Sequence, residues 1–345
     1  MILLVGYLGK WTNVIGGQTV KTRDIYKLLL EAADGKVEAY DTDEFKRNKL
    51  SLLKMFWKIT RCDTLCYLPS KGNLLAIFPF IYLLSIVFRV KIHYFVVGGW
   101  LADFLKKLPL HRRMLSRIAG IYVETHKLEQ KLRDTYHFGN VDVFPNFRFF
   151  NYDIGKYDAC KPVKECAGEG LRIAFISRVE QCKGLDTLCE ISSLLVSKGF
   201  RDRVTFELYG PKMDGYFDAN MCGNTMFEYK GVLKPDEVTD ILKGYDALIF
   251  PSHYEGEGCP GILIEALSVG MPIIASDWKY NDEFVENEVN GFLCDVLNAG
   301  AYVDAIMDLM ENVDKRMEMA RNSYIKSQQF SVCRAKELLS DMLRV

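Results

Sequence analysis

Short apolar runs punctuate this chain, and longer segments of mixed polarity separate most of them. In the first half the runs are residues 2–7 (ILLVGY), 37–41 (VEAYD), 64–69 (TLCYLP), 91–97 (KIHYFVV), 121–124 (IYVE) and 141–146 (VDVFPN). Runs of this kind read as strands, and the segments between most of them are long enough for helices. Strand and helix in alternation predict a parallel sheet covered on both faces. Residues 151–168 (NYDIGKYDACKPVKECAG) break the pattern, because they are polar, contain Pro162 and show no periodicity. They are expected to form an interdomain linker. The alternation then resumes with 171–179 (LRIAFISRV), 204–210 (VTFELYG), 226–232 (MFEYKGV), 247–252 (ALIFPS), 272–277 (PIIASD) and 291–295 (GFLCD). The pattern therefore predicts an α/β protein of two doubly wound domains, 1–160 and 168–326, facing each other across a cleft. Ligands of such sheets bind beyond the carboxyl ends of the strands.

One apolar stretch needs separate treatment. Leu74 to Val90 (LLAIFPFIYLLSIVFRV) is nearly long enough to span a bilayer. Pro79 interrupts it and a strand follows at once, which favours a helix buried between two strands over membrane insertion. The opening MILLVGYLG lacks a basic leader and a small-residue cleavage site, so it is expected to be a first strand rather than a signal peptide, in a cytoplasmic protein. A chain of 345 residues exceeds one ordinary core, and 49% hydrophobic with 26% charged residues is a globular composition. The ten cysteines are thinly spread, with Cys189 and Cys294 inside apolar runs, which predicts reduced thiols. No C-x-x-C pair or His-rich cluster points to structural zinc.

Charge changes the picture more than composition does. The net charge of −1 conceals 23 Lys+Arg against 13 Asp+Glu in residues 1–150, and 21 against 32 in the remainder. The first half is thus expected to meet something anionic. Its cations concentrate in 45–61 (FKRNKLSLLKMFWKITR) and 105–117 (LKKLPLHRRMLSR), both mixed with large apolar residues. That mixture suits adsorption to an anionic membrane surface, or else an amphipathic helix packed on the sheet.

The densest chemistry lies in Phe250 to Asp277 (FPSHYEGEGCPGILIEALSVGMPIIASD). A strand ends at Pro251, a Gly-rich loop follows, and a helix is expected from Pro260 or Gly261 to Gly270. Gly256, Gly258 and Gly261 permit close backbone approach to a ligand, and the helix start offers free N–H donors. Glu257, at the expected loop tip, and Glu265, one turn into the helix, are eight positions apart; two such carboxylates accept hydrogen bonds from vicinal hydroxyls. A second cluster, ISRVEQCKGLDTL from Ile176, places Arg178 at a strand end and Lys183-Gly184 at a helix opening, which together suit a diphosphate. A third, GYLGKWTNVIGGQTVK, carries Gly16-Gly17 before a helix expected from Gln18 or Thr19, where backbone can approach phosphate. It is not the G-x-G-x-x-G of dinucleotide binding, which counts against an NAD enzyme.

Taken together, these stretches resemble the retaining GT-B glycosyltransferases known as glycosyl transferases group 1, in which Glu257 and Glu265 match the E-x7-E signature. The resemblance implies two Rossmann-like domains with a C-terminal helix, about 327–345, crossing back to the first. It implies that Glu257 contacts donor-sugar hydroxyls and Glu265 the ribose, while Arg178 and Lys183 stabilise the leaving diphosphate. Glu257, Arg178 and Lys183 are then the expected catalytic residues. Gly17, Gly258, Cys259, Pro260, Gly261 and Glu265 join Arg178 and Lys183 in binding the donor. FPNF (144–147), Tyr209-Gly210-Pro211, Gly231-Val232 and the segment from Asp282 also follow the family's wording. The family's His at the end of the fourth strand is missing; His93 lies within the strand and is expected to pack, so the general base is open, with Asp103 and His126 as candidates. No metal and no cofactor is expected, since the chain reads as lacking a D-x-D site and a metal cluster. The implied partners are a nucleotide-sugar, a glycan or lipid-linked acceptor and possible contact with an anionic membrane, without nucleic acid. The activity that the resemblance implies is a hexosyl-type transfer in polysaccharide or glycolipid assembly. A nucleotide-sugar epimerase of the same architecture and a non-catalytic nucleotide-sugar-binding protein remain alternatives.

Overall fold

A computed structural model describes residues 1–11, 16–33, 36–149, 170–221 and 223–343. The expected linker, 151–168, lies outside the described residues. The chain forms two compact units, Met1–Phe149 with Ser331–Val345, and Phe150–Phe330.

The first unit holds strands β1 (Ile2–Gly6), β2 (Val37–Asp41), β3 (Thr64–Leu68), β4 (Lys91–Phe95), β5 (Gly120–Val123) and β6 (Val141–Val143). All pair in parallel, in the order β2-β1-β3-β4-β5-β6. The second unit holds β7 (Leu171–Ile176), β8 (Val204–Tyr209), β9 (Phe227–Gly231), β10 (Ala247–Phe250), β11 (Ile273–Ser276) and β12 (Gly291–Cys294), ordered β12-β11-β10-β7-β8-β9. All twelve expected strands form; β2 ends at Asp41 as expected and the other eleven end one to three residues early, where the chain leaves the ladder to build a loop. The winding direction reverses between β1 and β3 in one sheet and between β7 and β10 in the other. At such a switch point the flanking connections diverge to opposite faces and leave a crevice at the carboxyl edge.

Burial on both faces explains the apolar runs. Leu3, Leu4 and Val5 of β1, and Leu248 and Ile249 of β10, are all fully buried. The helix Gly17–Ala32 buries Ile25, Leu28 and Leu29 on one face of the first sheet, beside Ala335 and Leu339 of the helix Val332–Leu343. The crossover helix thus belongs to the first unit. The return comes at Ser331 rather than about 327, because Phe330 packs against Phe284 with ring centres 5.4 Å apart and Ser323 donates to the Met271 carbonyl at 2.9 Å. Those contacts tie the helix Val313–Ser327 and the turn after it to the second unit.

The stretch Leu74–Val90 differs from its expectation. It forms two helices, Lys71–Ala76 and Phe78–Phe88, and only Leu74, Phe78, Ile81 and Ser85 of them are buried. Phe80, Leu83 and Val87 are 60%, 60% and 68% exposed. The sheet takes up one side of the helix, and no described element covers the other. Among the described residues no helix is long and apolar enough to cross a membrane.

Candidate functional site

The switch point of the second sheet gathers most of the residues expected to carry chemistry. β7 and β10 are neighbours there. Beyond β7 the chain passes Arg178 and makes a 3-10 turn, Gln181–Lys183, before the helix Leu185–Ser197. Gly184 joins turn to helix at φ +91°, and a Cβ there would meet the Pro251 carbonyl oxygen at 2.3 Å. Only glycine lets the Lys183 turn close on the β10 loop. The His253 N–H donates to the Cys182 carbonyl at 3.1 Å and locks the two loops together.

This closeness brings Lys183 against Glu257. The Lys183 Nζ donates to Glu257 Oε1, and both side chains are 9% exposed. Ser252 Oγ donates to the same oxygen at 2.7 Å. Ser252 is in turn held by Ser276, whose hydroxyl donates to the Ser252 carbonyl at 2.6 Å. Glu257 is therefore buried rather than at a loop tip; burial of its carboxylate is compensated by a cation and a hydroxyl. The exposed part of the loop is Tyr254 and Glu255, and Glu255 pairs outward with Lys279 at 2.6 Å. That pairing separates Glu255 from Glu257 as a site residue.

Tyr254 links the two cations. The Lys183 ammonium lies 4.4 Å and the Arg178 guanidinium 5.2 Å from its ring centre. Both distances are within cation–π range. Arg178 also pairs with Glu180 at 2.9 Å, and its side chain is 42% exposed. The helix after the loop runs Gly261–Ser268 with Pro260 as its N-cap residue, and Gly270 at φ +66° follows its end. Gly258 and Cys259 are buried beside it, and Glu265 is half-buried in its second turn. The first N–H groups of this helix and of Leu185–Ser197 lack intrahelical acceptors, so two helix starts are directed to one crevice. The crevice can therefore bind an anion with two cations and two sets of N–H donors, and a polar ligand with Glu257. Gly210 closes the neighbouring edge at φ +136°, where a Cβ would meet the Ser177 carbonyl oxygen at 1.7 Å.

The sequence reading passed over Ser252, Tyr254 and Glu180. An aromatic inside a Gly-rich loop was the available signal for Tyr254; nothing local marks Ser252 or Glu180 as partners.

In the first unit, Gly16 caps the helix Gly17–Ala32, and a Cβ at Gly17 would meet nothing within 4 Å. The preceding residues 12–15 lie outside the described residues. A D-x-D triplet, Asp41-Thr42-Asp43, does occur and was missed in reading the sequence. The Asp41 carboxylate accepts the N–H groups of Leu8, Lys10 and Asp43 at 2.9–3.0 Å and so braces the loop after β1. His93 is buried and stacks on Tyr122, with its Nδ1 2.9 Å from the Tyr122 hydroxyl; burial pushes its pKa down to about 4. It packs, as expected. Asp103 pairs with Lys106 and Lys131, and the His126 side chain is 80% exposed. A buried pair that no reading anticipated joins Lys21 to Glu124 at 2.6 Å, and Glu124 also accepts the Gly98 N–H at 2.8 Å, fixing the loop after β4. A cavity of about 1050 Å³ opens between β4–β6 and the helix Val332–Leu343, lined by His93, Tyr122, Arg334 and Asp341 among others. His126, a candidate general base, also lines it, while none of the residues expected to bind the donor does.

Residues 161–326 match the family model for glycosyl transferases group 1. The second unit belongs to that family. Glu257 and Glu265, which the resemblance matches to the E-x7-E signature, lie within the matched residues, the first buried and the second half-buried. A poly(ribitol-phosphate) α-N-acetylglucosaminyltransferase of Staphylococcus aureus (strain COL) is 31% identical over 143 residues, 41% of this chain and 28% of that protein. A UDP-Gal:α-D-GlcNAc-diphosphoundecaprenol α-1,3-galactosyltransferase of Escherichia coli is 31% identical over 77 residues, 22% of this chain and 19% of that protein. The chain thus aligns with less than a third of the length of these two curated relatives. Anabaena Alr3699/HepE, solved in complex with UDP, is 17% identical but superimposes with a TM-score of 0.74 over 99% of both chains. The chain therefore has the two-domain, Rossmann-like GT-B fold.

Proposed function

We propose that this protein is a retaining glycosyltransferase that moves a sugar from a nucleoside diphosphate sugar to an acceptor hydroxyl. The observation that carries the reading is the convergence of Arg178, Lys183 and Glu257 at the switch point between β7 and β10. In the reaction the bond from the anomeric carbon to the phosphate oxygen breaks with its electrons on the diphosphate. Charge thus develops on the leaving group, where Lys183, Arg178 and the two helix starts offset it. The cations supply this offset without a metal in our reading. Glu257 contacts donor hydroxyls through Oε2, since the Lys183 and Ser252 bonds both end on Oε1. Glu265 holds the ribose, and Gly258, Cys259, Pro260 and Gly261 approach the donor with backbone. The acceptor oxygen attacks from the side the diphosphate leaves, and its proton departs with the phosphate.

The UDP complex of the Anabaena protein supports a nucleoside diphosphate donor. The diphosphoundecaprenol acceptor named for the Escherichia coli relative supports a lipid-linked or glycan acceptor, with work at the cytoplasmic face of a membrane in polysaccharide or glycolipid assembly. The test is calorimetric titration with UDP and other nucleoside diphosphates, followed by a diphosphate-release assay on a panel of nucleotide-sugars with and without membrane extract. Acceptor-dependent release is expected. The variant Arg178→Ala/Lys183→Ala should lose diphosphate binding while its far-UV circular dichroism stays that of the parent. Unchanged binding in that variant refutes the reading.

A further inference from the structure

The outer surface of the first unit carries an apolar field that the donor site does not explain. The connections β2–β3, β3–β4 and β4–β5 all step the same way along the sheet, so right-handed crossovers put their helices on one face. The helices Ser51–Ile59, Phe78–Phe88 and Pro109–Leu115 lie side by side there, with Phe78–Phe88 in the middle. Each buries one side against the sheet and shows large apolar residues on the other. Leu53 and Trp57 are 65% and 53% exposed on the first helix, and Leu110 is 61% exposed on the third. Phe80, Leu83 and Val87 form the middle row, at the i, i+3, i+7 spacing of a single helix face. The fourth helix of the same face, His126–Tyr136, has only polar residues at its exposed positions, so apolar exposure is not a property of the layer as a whole. In the second unit the exposed large hydrophobics are scattered along the chain, as on ordinary surfaces.

The charge around this field is predominantly positive, although Lys54 pairs with Glu44 at 3.7 Å and Lys106 with Asp103 at 2.9 Å. Residues 45–117 contain 14 Lys+Arg and only Asp63 and Asp103 as acids, a net +12. Lys54, Arg61, Arg89, Lys107, Arg113 and Arg117 are exposed on or beside the three helices. Arg61 lies with its guanidinium 3.9 Å from the Trp57 ring centre, a cation carried by an exposed aromatic. A second copy is a poor occupant, because a two-fold interface would set this charge against itself. An anionic lipid surface complements both features, taking the apolar rows at the acyl boundary and the cations at the headgroups.

We propose that the first unit docks on an anionic phospholipid bilayer through the outer faces of Ser51–Ile59, Phe78–Phe88 and Pro109–Leu115. The helices lie in the interface plane and do not span it. Delivery of a lipid-linked acceptor to the enzyme by this docking rests on the glycosyl-transfer reading; the docking itself does not.

The test uses the full chain without sugar nucleotide, sedimented with vesicles of equal phosphatidylcholine and phosphatidylglycerol, and with phosphatidylcholine alone. The protein should pellet with the anionic vesicles at low salt and be released at high salt. Brominated lipid should quench tryptophan emission in the parent and less in Trp57→Phe. Phe80→Asp/Val87→Asp and Arg113→Glu/Arg117→Glu should each lower partitioning by on the order of tenfold or more. Leu297→Asp, at an exposed position of the second unit, should bind as the parent does. Circular dichroism and UDP titration on each variant separate loss of docking from loss of fold or of the donor site. No pelleting at low salt overturns the proposal. So does equal binding by the Phe80→Asp/Val87→Asp variant, or a concentration-dependent dimer that this variant abolishes. Docking without any transfer activity would instead overturn the glycosyltransferase reading alone.

Discussion

Lys183→Ala removes one half of a buried ion pair and leaves the other half in place. Glu257 would keep its Ser252 hydrogen bond at 2.7 Å but lose the cation, in a position 9% exposed. An uncompensated buried carboxylate costs about 3–5 kcal/mol, and the surviving hydroxyl places this case near the lower end, about 3 kcal/mol. Glu257→Gln should cost a similar amount by stranding Lys183. The double variant Lys183→Ala/Glu257→Gln removes both charges and should lie within about 2 kcal/mol of the parent, giving a favourable coupling of a few kcal/mol. Trp278 makes the measurement local. It is the only tryptophan between Phe150 and Phe330, and its Nε1 donates to the Tyr254 carbonyl at 3.0 Å beside the pair. Urea unfolding followed by Trp278 emission, with the other three tryptophans replaced by Phe, reports the second unit. UDP titration on the same proteins reports the site: all three variants should bind weakly, whatever their stability. Additive losses in stability, together with parent-like UDP affinity in the double variant, would refute the claim that this pair both braces the loops and receives the diphosphate.

Two further outcomes follow from single positions. Gly184→Ala forces a Cβ against the Pro251 carbonyl at a left-handed φ, and should cost on the order of 3 kcal/mol and displace Lys183, lowering UDP affinity; unchanged affinity would show that the turn tolerates movement. His93 is held neutral by burial, with Lys91 nearby adding to the effect, so its folded pKa is about 4 against 6.5 for the free side chain. Its contribution is present above about pH 6.5 and is lost as pH falls toward 4, roughly 3 kcal/mol in all. His93→Phe keeps the stack on Tyr122 and should flatten the acid limb of stability between those pH values, read by circular dichroism at stepped pH.

The strand segments and the glycine-rich loops after them were visible in the chain because they depend on local pattern. Runs such as ILLVGY bury both faces wherever helices cover a parallel sheet, and Gly-rich loops before helices locate the carboxyl edges. Thus Arg178 and Lys183 were expected beyond the strand that is β7, and Glu257 and Gly258 in the loop after β10, where they lie. What they touch was not. Lys183 meets Glu257 across 74 positions and Lys21 meets Glu124 across 103, and no periodicity links residues so far apart. The same holds for Tyr254, which matters because two loops converge on its ring.

The sequence by itself determined which segments become strand and helix, and where charge and glycine accumulate, since those follow from each residue's own backbone preference and polarity. Tertiary structure alone decided burial. Glu257 was expected at a loop tip and is enclosed, because the Gly184 turn closes on the β10 loop. Phe80, Leu83 and Val87 were expected inside and face outward, because the sheet covers only one side of their helix. A residue's hydrophobicity sets its preference for burial, but only the neighbours that arrive decide whether that preference is met.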